Sequence, residues 1–173
     1  MPSDNIPSNN SSNNKPSDHQ VPHLLTASDI ANLPEVTKLH FLNANVVRNT
    51  KSLSDLVGMK NLGIHLVRVE SGKETTEFHF HEYEEEFIYI ISGRGIAEIG
   101  DREIEVGAGD FMGFTAPSLP HGMRNPFAED LVYLMGGERL DFDISEYPKK
   151  QKRNFRSHQQ RQIVDFDNIA TVT

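Results

Sequence analysis

The stretch FHFHEYEEEFIYIISG, residues 78–93, holds two histidines one residue apart, four glutamates in five positions and a β-branched, aromatic run that ends in glycine. On a strand, His79 and His81 project to the same face, because strand side chains alternate with period two. Their Cβ atoms then stand roughly 7 Å apart, within reach of a single ion. On a helix the same pair diverges by about 200° and cannot chelate. A glutamate cannot join them along one straight strand, since Glu85 has the right parity but lies roughly 13 Å from His81. The chain must therefore reverse between 82 and 85, which leaves Glu82, Tyr83 and Glu84 in a loop whose glutamates are expected in solvent, with Glu85 and Glu86 as candidates to return toward the histidines. Phe87, Tyr89 and Ile91 continue the face of Glu85, whereas Ile88 and Ile90 continue that of Glu86, and this pattern leaves both open.

The surroundings read as β. LGIHLVRVE (62–70) is apolar and partly β-branched and stops at Ser71-Gly72. Strand-like segments follow at 77–81, 86–92, 96–99, 103–106, 111–114, 121–125 and 131–135. Gly100-Asp101 is a two-residue hairpin signal, and Gly93-Arg94-Gly95 and Gly107-Ala-Gly-Asp110 are further breaks. Short strands with frequent turns predict an all-β sandwich or barrel. Before this block, Thr26-Ala-Ser-Asp29 ahead of Ile30 predicts a capped short helix, and 36–47 an early strand.

A third histidine enters downstream, in GDFMGFTAPSLPHGMRN (109–125). His121 follows a proline-bearing loop and begins a strand-like piece, so it supplies an imidazole from a different strand. Met112, Phe114, Met123 and Asn125 are the candidate pocket wall. His65, on an apolar strand, is expected to be a packed residue rather than a ligand. Arg68 and Tyr89 are expected to face outward, or to meet an anionic substrate if they face in.

Composition bounds the rest. The 173 residues suit one domain with appendages. A net charge of −8 argues against a nucleic-acid binder. With no cysteine, disulfides, thiolate zinc sites and cysteine nucleophiles are excluded. No apolar run is long enough to span a bilayer, and MPSDNIPSNN lacks the basic and apolar regions of a signal peptide, so a cytoplasmic location is expected. Residues 1–22 are rich in Asn, Ser and Pro, a composition that predicts disorder. The N-x-S patterns at Asn9 and Asn10 read as chance matches. KKQKRNFRSHQQR (149–161) carries six Lys/Arg and no acid, and reads as a solvated or strand-covering tail.

The two clusters resemble the paired motifs of the cupin superfamily. In the first, His79-Phe80-His81 is followed after four residues by Glu86, and six residues separate Glu86 from Gly93. That spacing selects Glu86 over Glu85. In the second, His121 and Asn125 keep the three-residue gap, and Gly109-Asp110 resembles the opening turn. Gly72 stands one residue too far from His79, and the proline and glycine of the second motif are replaced around Thr115–Ser118. The likeness covers about residues 60–140, and GGERLDFDISEYP (136–148) looks like the ending of small single-domain bacterial cupins. The division that follows is 1–22 tail, 23–60 N-terminal extension, 61–140 barrel and 141–173 C-terminal extension.

The resemblance implies a cupin-type jelly-roll β-barrel with few short helices. It also implies one divalent transition metal inside, held by His79, His81, Glu86 and His121. Three imidazoles and a carboxylate suit Fe, Mn, Ni, Co or Zn. It implies an enzyme, dioxygenase-like or an isomerase, acting on a small oxygen-bearing molecule. The alternatives are a non-catalytic small-ligand sensor and a metal-free structural or epimerase-type cupin. Epimerases on this fold use a His–Asp arrangement, which is not evident in the sequence. The segment 36–47 is a candidate exchanged edge strand for a homodimer, and neither nucleic acid nor membrane is an expected partner.

Overall fold

A computed structural model describes residues 21–170 and 172 of the chain. Nearly all of the Asn/Ser-rich N-terminal segment lies outside the described residues. The first element, α1 (Ala27–Asn32), begins where the cap was expected. Thr26 Oγ1 accepts from the Asp29 N–H at 3.2 Å, and the Asp29 carboxylate accepts from the Thr26 N–H at 2.8 Å. This reciprocal pair satisfies N–H groups that a helix start otherwise leaves unbonded.

Among the described residues thirteen strands follow, with one short helix, α2 (Leu53–Leu56), between the second and third. They are β1 (Val36–His40), β2 (Asn43–Ser52), β3 (Leu62–Val69), β4 (Phe80–His81), β5 (Glu86–Ser92), β6 (Arg94–Ile99) and β7 (Arg102–Gly107). The series continues with β8 (Phe111–Phe114), β9 (His121–Arg124), β10 (Leu131–Glu138), β11 (Phe142–Tyr147), β12 (Lys152–Ser157) and β13 (Gln160–Asp165). A six-stranded sheet runs β1-β2-β3-β10-β5-β8, a four-stranded sheet β13-β12-β11-β4, and a three-stranded sheet β7-β6-β9. The order β3-β10-β5 places sequence-distant strands side by side, the jelly-roll arrangement expected of the fold.

Each central strand turns its inward face to one core. Val67, Val69, Ile90, Leu131 and Tyr133 are essentially inaccessible, and Met112, Phe114 and Met123 close the core beside them. Burying each large apolar side chain contributes about 1.5–3 kcal/mol. In β5 the inward residues are Ile88 and Ile90, while Tyr89 and Ile91 are exposed. Glu86 has the parity of Ile88 and Ile90, so the strand itself resolves the ambiguity that the local pattern left between Glu85 and Glu86.

Two glycines earn their places by geometry. Gly93, between β5 and β6, has φ +75°, and a Cβ there would collide with the Asp130 carbonyl. Gly136 lies inside β10, where a Cβ would collide with the Phe87 ring. β10 runs past the expected end at Met135 because Gly136, Gly137 and Glu138 go on pairing with Ile64, Gly63 and Leu62 of β3.

The C-terminal segment departs from its reading as a solvated or covering tail. Residues 142–165 form three strands, and β11 pairs with β4 directly beside His81. The stretch expected as strand 77–81 is shorter than predicted, with only Phe80 and His81 in a ladder. His79 instead makes an isolated antiparallel bridge to His121. No helix among the described residues is long and apolar enough to cross a membrane.

Candidate metal centre

Three separate sheets deliver the polar cluster at the barrel interior. Glu86 opens β5, His81 ends β4 and His121 opens β9. His79 is tied to His121 by two backbone hydrogen bonds, His79 N–H to His121 O at 3.0 Å and His121 N–H to His79 O at 2.8 Å. The donor atoms of His79, His81 and Glu86 lie within 4.8 Å of one another, and His121 reaches the same cluster through Glu86. His79 Nε2 lies 3.1 Å from His81 Nε2. Glu86 Oε1 lies 2.7 Å from His121 Nε2, 3.5 Å from His79 Nε2 and 3.9 Å from His81 Nε2. Donor atoms bound about 2.1 Å from one ion stand roughly 3.0–3.4 Å apart in octahedral or tetrahedral arrangements. The observed spacings bracket that range.

The hydrogen bonds on the far side of each ring test whether a cation fits. His79 Nδ1 faces the Glu77 carbonyl at 2.9 Å, His121 Nδ1 the Leu119 carbonyl at 3.2 Å and His81 Nδ1 the Asp143 carboxylate at 2.6 Å. Every Nδ1 therefore has an acceptor to which it donates, and each neutral ring directs its Nε2 lone pair inward. Without a positive charge between them, the lone pairs of His79 and His81 oppose one another at 3.1 Å. The 2.7 Å contact between His121 Nε2 and Glu86 Oε1 is a hydrogen bond when no cation is bound, and a cation would take the place of its proton. A cation at the common centre converts the repulsion between His79 and His81 into attraction and replaces the proton between His121 and Glu86, so the donor set fits a metal ion.

Electrostatics agree with that arrangement. Burial holds the His79 imidazole well below its ordinary value, at about 3, which keeps it neutral. Burial alone would push Glu86 up, but its hydrogen bond with His121 and the neighbouring histidines outweigh this and hold it at about 2. Burial also opposes charge on His81. The hydrogen bond to Asp143, with the charges of Glu86, Asp143 and Glu84, reverses the sign and raises its pKa.

Asp143 is the residue that sequence reading missed. It is buried, and besides His81 it accepts from the backbone N–H groups of Tyr83 and Glu84 at 3.3 and 3.4 Å. The His–Asp pairing thought absent is therefore present, between residues 62 positions apart. Glu84 also departs from the solvated turn assigned to it. It accepts from the Leu140 N–H at 2.7 Å and pairs with Arg156.

The chain's relatives bear on the same residues. The family model of the cupin domain matches residues 65–137. The structure of a candidate sugar phosphate isomerase from Acidithiobacillus ferrooxidans is 41% identical over 87% of this chain and 96% of that one, with a TM-score of 0.85. The chain belongs to the cupin superfamily. A cupin-superfamily sugar phosphate isomerase from Silicibacter pomeroyi shares the fold at 21% identity and a TM-score of 0.75, over 86% of this chain and 96% of that one. A predicted oxalate decarboxylase from Thermotoga maritima shares it at 19% identity and a TM-score of 0.54, over 64% and 96%. No curated protein matches the sequence.

The cluster of this cupin opens into a cavity of about 360 Å³. Met112, Phe114 and Met123 line it, and Phe114 stacks on His121 with ring centroids 3.5 Å apart. Asn125 does not line it. Its Nδ2 donates to the Val69 and Glu129 carbonyls, and its Oδ1 accepts from the Phe127 N–H, so it anchors the 126–130 loop. His65 does line the cavity, with Nδ1 3.0 Å from Ser52 Oγ, and takes no part in the cluster. Arg68 points outward into Glu35, Glu70 and Asp130, and Tyr89 is exposed.

Four arginines, Arg48, Arg139, Arg156 and Arg161, also face this cavity. All four lie outside the span that the family model matches. Tyr147 stacks on His79 at 6.0 Å and covers it from solvent, and burial pushes its phenol up so that it remains a neutral donor.

Proposed function

We propose that this cupin is a metal-dependent enzyme that holds one divalent transition ion at His79, His81, Glu86 and His121 and isomerises a small hydroxylated carbonyl compound. The approach of His79 Nε2, His81 Nε2 and Glu86 Oε1 to one another, with His121 Nε2 against the same oxygen, carries the metal part of this reading. The 41% identity to the candidate sugar phosphate isomerase favours isomerisation over oxygen chemistry.

When bound, such an ion supplies Lewis acidity at a substrate oxygen. The chain's own residues do the rest. Asp143 fixes the His81 ring and its tautomer. The bridge to His121 and the Glu77 carbonyl fix His79. Phe114 and Tyr147 cover two imidazole faces and exclude water from them. The remaining wall, half polar through the arginines, leaves room for a molecule of a few carbons.

Elemental analysis of protein purified without chelators tests this reading, with one equivalent of divalent metal expected. Absence of stoichiometric metal, together with a melting temperature that ignores added Mn, Fe, Ni, Co or Zn, would defeat it.

One observation favours a second reading. The 2.6 Å His81–Asp143 pair is also the arrangement of an acid–base group oriented by a carboxylate. On that reading turnover persists in chelator-treated protein and vanishes in His81→Gln. A homodimer through the edge of β1, which no strand covers among the described residues, is supported by exposed Val36 and Leu39 on that strand, and sedimentation of the full chain decides it.

A further inference from the structure

The four arginines at the cavity are not equivalent. Arg139 pairs with Asp55 at 2.6 Å, and Arg156 pairs with Glu84. Neither Arg48 nor Arg161 has a carboxylate within ion-pair distance among the described residues. Arg48 Nε is buried and has no hydrogen-bond partner among the described residues. Its Nη1 lies 3.8 Å from the Met135 sulfur, a weak acceptor, and the guanidinium stands beside the Tyr133 phenol, so no charged partner meets it among the described residues. A buried guanidinium N–H left without an acceptor is destabilising, so its retention calls for a function.

The two guanidiniums without a carboxylate partner come from opposite ends of the chain, Arg48 on β2 and Arg161 on β13, and both line this cavity. Their charges converge there. Burial first, then the charges of Arg48, Arg161 and Lys150, depress the His40 imidazole to about 4. The cavity's other arginines are paired, and its wall also carries Glu85 and Glu138. With the imidazole neutral, Arg48 and Arg161 are two positive charges that no carboxylate pairs among the described residues. A carboxylate would neutralise one of them. A phosphomonoester, close to a dianion at neutral pH, neutralises both, and its oxygens suit the forked donors of arginine.

We propose that Arg48 and Arg161 bind the phosphate of a small phosphorylated substrate whose oxygen-bearing end reaches the His79–His81–Glu86–His121 cluster. The second clause rests on the metal-enzyme reading, whereas the phosphate site stands on the arginines alone. Both arginines lie outside residues 65–137, so the site belongs to the parts of the chain that differ from the family's shared core.

The test is titration calorimetry on the full chain, first after chelator treatment and then metal-loaded. Metal-free protein is expected to bind inorganic phosphate at least tenfold more tightly than acetate. Arg48→Gln and Arg161→Gln should each weaken phosphate binding at least tenfold and leave metal affinity within twofold. Phosphate binding no tighter than acetate, or phosphate affinity unchanged in Arg161→Gln, overturns the proposal. Should Arg48→Gln fail to fold, the exposed Arg161 carries the test, with Arg161→Lys expected between wild type and Arg161→Gln. Glycerol 1-phosphate separates a substrate group from free phosphate: tighter binding of the ester by metal-loaded protein supports the assignment, and tighter binding of inorganic phosphate overturns it. Metal titration of the same samples reports the metal reading separately. Phosphate binding without metal binding sinks only that reading, and the reverse sinks only this one.

Discussion

Asp143 Oδ2 lies 2.6 Å from Nδ1 of His81, and the carboxylate is almost wholly shielded from solvent. It reaches the ring from β11, outside the span shared across the family. The contact fixes the tautomer that leaves His81 Nε2 free to bind, and raises the basicity of that atom.

Asp143→Asn is therefore expected to weaken divalent-metal affinity about 10–100-fold, the usual range for losing such a partner. The amide oxygen can still accept from Tyr83 and Glu84, so the fold is retained. Metal titration by calorimetry checks this, with circular dichroism as the fold control. An unchanged affinity would show that Asp143 only holds the turn.

Glu85 and Glu86 give a paired test of the ligand assignment. A metal at about 100 times its Kd stabilises a folded protein by about 2.7 kcal/mol. For a domain of this size that corresponds to a Tm rise of roughly 5–11 °C. Glu85→Gln should keep the rise, since Glu85 is exposed. Glu86→Gln should lose most of it. Equal behaviour of the two variants in thermal melts would contradict the site.

The pH dependence of the metal-free protein has a definite sign. His79 is held at about 3, and His40 and His65 at about 4, all three chiefly by burial. On unfolding each returns to its ordinary value near 6.5 and takes up a proton. Their contribution is fully present above about pH 6.5 and is lost as pH falls toward 4. Urea midpoints of chelator-treated protein should decline over that window, and His65→Gln should flatten the decline. His81 works in the opposite sense. Its raised pKa favours the native state below pH 6.5, and that part fades as pH climbs through the folded value.

Gly93→Ala should cost more than about 2 kcal/mol. Positive φ alone disfavours alanine by roughly 1–2 kcal/mol, and its Cβ would also meet the Asp130 carbonyl. Denaturant unfolding measures the loss, and metal affinity per folded molecule should not change.

The strands from β3 to β9 were legible because their apolar alternation and turn glycines obey local rules. Gly100-Asp101 does close β6 and β7, with Ile99 opposite Arg102. The spacing to Gly93 brought Glu86 forward, and the inward parity of Ile88 and Ile90 explains it. The last three strands were opaque because their pattern is inverted. In β11 the buried side is Asp143, Ser145 and Tyr147, while Phe142 is exposed. A polar inward face reads as a loop until the cavity it lines is known. β13 is exposed over nearly all its length and gives no signal. Asn125 was misjudged for a related reason, because spacing cannot tell a side chain that lines a pocket from one that anchors a loop.

Glu86, His81 and His121 belong to three different sheets, and His79 is bridged to the third. An ion held among them would act as a keystone where three sheets abut. Its removal should loosen seams far more than strands. Amide exchange should then quicken at the β4–β11 pair and the His79–His121 bridge, while the β3–β10–β5 ladder stays protected. Metal occupancy would in that case govern how firmly the C-terminal strands, and Arg161 with them, are pressed against the barrel.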